Sequence, residues 1–132
     1  MKYIKSLLAL AFVAMFLVSC AAEEGVDFGN LKDGDTVSSP FKVTFEVSGK
    51  TIKPAGTEED GTGHHHLIID DTFVAAGTVV PADATHIHFG KGQTETEVTL
   101  SPGKHTLTLQ FADFAHRSFG GKWSKTITIE VE

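Results

Sequence analysis

The chain has 132 residues, 11 Lys and Arg against 17 Asp and Glu, and a single cysteine. The acidic balance disfavours nucleic acid and anionic lipid headgroups as partners, since both are polyanions. One cysteine excludes an internal disulfide, and the length suits a single domain with its own core.

The first segment, Met1 to Cys20, opens on Lys2 and Lys5, runs uninterrupted through apolar Leu7 to Val18, and closes on small residues before the cysteine. That layout is a secretory signal. Its apolar run is about 12 residues, whereas a helix crossing a hydrocarbon core of roughly 30 Å needs about 20. It is therefore predicted to be removed rather than to stay in the membrane. Leu17-Val18-Ser19-Cys20 resembles a lipobox, which implies cleavage after residue 19 and a lipid on the Cys20 sulfur. The two or three acyl chains of such lipoproteins make the membrane attachment lasting. Ala21, in place of Asp, resembles lipoproteins sent on to an outer membrane, so the expected location is extracytoplasmic, on its periplasmic face or at the cell surface.

Losing Lys2 and Lys5 takes the 11 basic side chains to 9 against an unchanged 17 acidic ones, a net charge of −8 with histidine neutral. The lipid, not charge, must then hold the protein to the membrane. Acylated Cys20 leaves no thiol, which excludes cysteine nucleophiles, thiolate metal sites and sulfur redox chemistry. Residues 20–25 read as lipidated cysteine and tether, and 26–132 as one domain.

Phe41 to Val47 alternates apolar and polar residues with period two, placing Phe41, Val43, Phe45 and Val47 on one buried face. His64 to Asp70 and Thr72 to Val80 read as further strands, the second interrupted by Gly77. Thr85 to Phe89, Thr94 to Leu100, His105 to Phe111 and Trp123 to Val131 follow with the same alternation. Lys32-Asp33-Gly34-Asp35, Ser101-Pro102-Gly103 and Gly120-Gly121 supply turns between them, and Asp70-Asp71 reads as another. No stretch after the signal shows helical periodicity. About seven strands at this spacing predict an all-β, immunoglobulin-like antiparallel sandwich, with a small β-barrel as the alternative.

All 7 histidines fall between positions 64 and 116, after the polar loop Ala55 to Gly63. On a strand, residues i and i+2 share a face, so His64 and His66 point one way and His65 points the other, beside Leu67 and Ile69. His86 and His88 likewise share a face. Two such strands side by side would gather three or four imidazoles, and His116 lies in a polar segment able to close over them. With sulfur unavailable, this donor set suits Cu(II) or Zn(II), copper the more tightly. Proton competition would weaken binding near pH 6.5 or below. The expected metal set is His64, His66, His86, His88 and His116, with His65 and His105 open between ligand and structural roles.

Gly61-Thr62-Gly63-His64-His65-His66-Leu67-Ile68-Ile69-Asp70, Pro81-Ala82-Asp83-Ala84-Thr85-His86-Ile87-His88-Phe89-Gly90-Lys91-Gly92-Gln93-Thr94-Glu95, Pro102-Gly103-Lys104-His105-Thr106-Leu107 and Leu109-Gln110-Phe111-Ala112-Asp113 together resemble the bacterial DUF4399 family. The likeness spans roughly Leu31 to Glu132. It implies a small secreted or lipid-anchored β-domain in which the histidine blocks belong to the family pattern, and it implies no activity. His86-Ile87-His88-Phe89-Gly90 separately resembles the copper-ligand strand of copper-zinc superoxide dismutase. This chain lacks that enzyme's disulfide and long zinc loop.

No Gly-x-Ser-x-Gly elbow and no phosphate-cradling glycine loop is present. The reading is a non-enzymatic, lipid-anchored domain binding a divalent metal. The competing class is an envelope interaction domain, with Arg117, Phe119 and Trp123 facing a protein or glycan.

Overall fold

The structure is a computed structural model and describes residues 13–14 and 23–132. The segment Met1–Cys20 expected to be a signal, apart from residues 13–14, and with it the Cys20 expected to carry lipid, lie outside the described residues.

The fold is all-β. Nine strands lie among the described residues: β1 (Gly25–Phe28), β2 (Thr36–Val37), β3 (Phe41–Ser48), β4 (Thr51–Ile52), β5 (Thr62–Ile69), β6 (His86–His88), β7 (Glu95–Val98), β8 (Gly103–Ala112) and β9 (Ser124–Val131). A 3₁₀ turn, Gly121–Trp123, leads into β9. One sheet has the order β1-β3-β7. The larger one runs β2-β9-β8-β5-β4, with β6 also on the β5 edge. The orders β1-β3-β7 and β9-β8-β5 are those of strands A-B-E and G-F-C of an immunoglobulin-like sandwich. The first strand is divided between the sheets: β1 pairs with β3, and β2 crosses to run parallel to β9. This pairing and the short parallel β4–β5 contact depart from the purely antiparallel expectation.

Alternation builds the core. Phe41, Val43 and Phe45 from β3 meet Leu67 and Ile69 from β5, Leu107, Leu109 and Phe111 from β8, and Ile127, Ile129 and Val131 from β9. At roughly 1.5–3 kcal/mol for each fully buried aliphatic or aromatic side chain, this interior is the main stabilising layer.

Thr72–Val80, expected as a strand, is not one. Gly77 sits at φ 81°, and the Thr78 N–H bonds to the Ala75 carbonyl at 3.1 Å, which turns the chain in mid-segment. The segment instead lies across the outer face of the large sheet. There Gly77 N–H donates to Ser118 O and Ser118 N–H to Thr78 O, at 2.8 and 2.9 Å. The outer face is therefore roofed by two clasped loops, and it carries the histidines.

Candidate metal centre

Pleating sets His65 apart from its neighbours. His65 points between the sheets, with ring centroids 5.3 Å from Phe45 and 5.1 Å from Phe111. His64 and His66 point outward beneath the roof, and both are buried. β6 pairs antiparallel with β5 in the register His66↔His88, which puts His88 directly across from His66 on that outer face. His116 arrives from the turn after β8, whose last residue, Ala112, is paired with His64. Four imidazoles from two strands and one loop thus converge.

One ligand-capable atom from each of His64, His66, His88 and His116 can be chosen so that all lie within 4.8 Å of one another, and the group could hold a metal ion. The closest contact is His64 Nε2 to His116 Nδ1, 3.1 Å. Metal–imidazole bonds of about 2.0–2.1 Å separate ligand nitrogens by about 2.9 Å for adjacent square-planar positions, 3.3 Å tetrahedrally and 4.1 Å across a square. Nitrogen movements under about 1 Å bring the observed set into that range. The site is graded in exposure: His64 and His66 are buried, His116 is half-buried and His88 is exposed.

His64 Nδ1 and both ring nitrogens of His66 are buried without a hydrogen-bond partner. Such groups are uncommon in folded proteins and call for a reason; a cation held by the cluster would supply one. Burial, followed by repulsion from His88 and His116, pushes His64 down to about 4, against a weaker opposing pull from Asp113. Burial, then the His64, His88 and His116 charges, takes His66 down to about 2. Burial, then His116, also lowers His88. Buried imidazoles of this kind stay neutral at pH 7, which is the form that ligates.

Two glycine positions serve the site. A Cβ on Gly90 would run into the His88 ring, and one on Gly63 would meet the Ala112 carbonyl. Gly90 leaves the space in which His88 turns toward His66.

His86, expected beside His88, stands outside this group. It pairs with Ile68, two rungs beyond the His66–His88 pair, and its Nδ1 lies 2.8 Å from Asp83 Oδ1. His105 is held between Asp70 Oδ2 and the Ser101 carbonyl, both at 2.8 Å, and the Asp70 hydrogen bond raises its pKa. His65, with both nitrogens unpartnered, is a core residue with no route to the outer face. Trp123 is buried against Phe111, and Phe119 lies under the Lys50 ammonium at 4.1 Å.

Three contributors carried no sequence signal strong enough to single them out. Gln110, fully buried on the outer face beside His66, accepts from Val74 N–H at 3.0 Å and shares its amide between the Phe111, Gly120 and Trp123 carbonyls. It ties the two roof loops to the sheet. Asp113 and Gly90 are the others; the Asp113/Arg117 spacing and the Gly-Lys-Gly run were the available hints.

The family model described as Domain of unknown function (DUF4399) matches residues 43–132, which include all four clustered histidines. No curated protein and no solved structure matches the chain.

Proposed function

The chain belongs to the DUF4399 family, and we propose that it is a lipid-anchored extracytoplasmic domain that binds one divalent metal ion, copper or zinc, through His64, His66, His88 and His116. The observation that carries the reading is the convergence of four imidazoles, those of His64 and His66 buried, with ligand atoms inside 4.8 Å. Without sulfur or a carboxylate among the four, the donor set favours late first-row metals, and copper(II) is held more tightly than zinc(II). The proposed role is binding rather than catalysis, since four imidazoles fill a four-coordinate site, whereas a catalytic metal keeps one position open. Membrane attachment rests on the lipobox-like Leu17-Val18-Ser19-Cys20.

Calorimetric titration of the metal-free protein with Cu(II) and Zn(II) tests the site. One ion per chain at micromolar affinity or tighter is expected, lost on replacing His64 and His66 by Ala and retained in His86→Ala. No binding of either ion, or equal binding after the double replacement, contradicts the proposal. For the anchor, Cys20→Ala is expected to move the protein from the membrane to the soluble extracytoplasmic fraction.

A further inference from the structure

We infer that Asp113 is the positioning residue of this centre, building the turn that aims the His116 imidazole at His64; the inference rests on the metal-binding reading. The turn begins where β8 ends. Asp113 Oδ1 accepts the N–H groups of Ala115 and Arg117, both at 2.9 Å, and Oδ2 accepts from Arg117 Nε at 2.8 Å. The Asp113 backbone closes the same loop, its N–H donating to Arg117 O and its carbonyl accepting from His116 N–H, each at 2.9 Å. Every polar group of one residue is thus directed into a five-residue turn.

The turn forces His116 to φ 63°, the left-handed region that a side chain enters only at a cost. Glycine would adopt that backbone freely, but it carries no imidazole. A non-glycine residue held there marks a position where the side chain matters more than local comfort. The neighbouring roof loop fixes the other side, with Val80 N–H donating to the His116 carbonyl at 2.8 Å. Both His116 backbone groups are therefore committed, and the ring is delivered 3.1 Å from His64 Nε2. Asp113 is not a ligand: its two oxygens are already occupied by the turn and by Arg117, whose guanidinium also stacks 5.3 Å from the Phe114 ring.

Copper(II) titration with paramagnetic resonance, applied to wild type, Asp113→Ala, Asp113→Asn and His116→Ala, tests this. Asp113→Ala is expected to weaken copper by about 10–100-fold, the range for a residue that orients a ligand, and to reduce the coupled nitrogens from four to three, as in His116→Ala. Asp113→Asn keeps an oxygen acceptor for both N–H groups and is expected within about threefold of wild type. Wild-type affinity and four nitrogens in Asp113→Ala overturn the inference, as does an Asn variant as impaired as Ala, which would assign the effect to charge. In metal-free protein, ring-to-ring proton contacts between His64 and His116 are expected in wild type and Asp113→Asn and lost in Asp113→Ala. That readout holds even if no metal binds, so failure of the positioning role is distinct from failure of the metal reading. If Asp113→Ala does not fold, Asp113→Ser, whose hydroxyl reaches one N–H, replaces it with an intermediate loss expected and unchanged affinity and contacts overturning the inference.

Discussion

Replacing His65 by Leu should make the metal-free protein more stable, and the gain should widen in acid. The imidazole is 0% exposed between Phe45 and Phe111, and neither nitrogen has a partner. Leaving such polar atoms buried costs about 1–3 kcal/mol relative to an apolar side chain, so Leu at this position is expected to add stability near neutral pH. Burial, with a smaller push from His64, lowers His65 from 6.5 to about 4. The unfolded chain binds a proton below about 6.5 that the folded chain refuses until about 4, so stability is full above 6.5 and falls as pH drops through this window. Between about pH 8 and pH 5 the linked loss from this one group is about 2 kcal/mol. Urea denaturation of wild type and His65→Leu, with chelator present at both pH values, gives the comparison. An identical gain at the two pH values would refute the neutral buried imidazole, and a large loss near pH 8 would mean that the ring makes hydrogen bonds the structure does not contain.

Three further outcomes follow from the site. Gly90→Ala should weaken copper binding by about tenfold or more while the domain stays folded, because the new methyl occupies the space of the His88 ring; unchanged affinity by titration contradicts the role given to Gly90. Gln110→Leu strands the Val74 N–H and removes the amide donor from the Trp123 carbonyl, and should cost about 2–4 kcal/mol, read as a lower urea midpoint and faster proteolysis between residues 71 and 80. Copper should also survive mild acid. His64 and His66, held down to about 4 and about 2, bind no proton at pH 5.5, where two ordinary imidazoles would together weaken the metal roughly 100-fold; ring-proton resonances of these two residues that titrate near 6.5 in the metal-free protein would show the rings to be normal.

What could be read from the chain and what could not divide along physical lines. Phe41–Val47 and His105–Phe111 are legible because a half-buried strand alternates at the pleat period, and the same rule separates His65 from His64 and His66. The rule stops at one strand. That His88 rather than His86 joins the cluster depends on the β5–β6 register, in which His66 faces His88 and Ile68 faces His86. Asp83-Ala84-Thr85 was the local hint, since its carboxylate caps the turn and captures His86. Thr72–Val80 misled because Gly77 turns it in mid-segment and Gln110 holds it over a sheet face instead of in a ladder. β2 and β4, two residues each, are too short for any periodicity to register. Gln110 looked like a solvent-facing residue between Leu109 and Phe111, and only the roof above it makes it a buried anchor.

On the proposed reading, four imidazoles from β5, β6 and the turn after β8 hold one metal ion. Paramagnetic resonance of the copper-loaded protein, with metal content measured on the same sample, tests it most directly. One copper per chain with four coupled nitrogens is expected, falling to three when His88 or His116 is replaced by Ala and staying at four in His86→Ala. Copper in less than stoichiometric amount, or a spectrum indifferent to His88 and His116, would contradict the account.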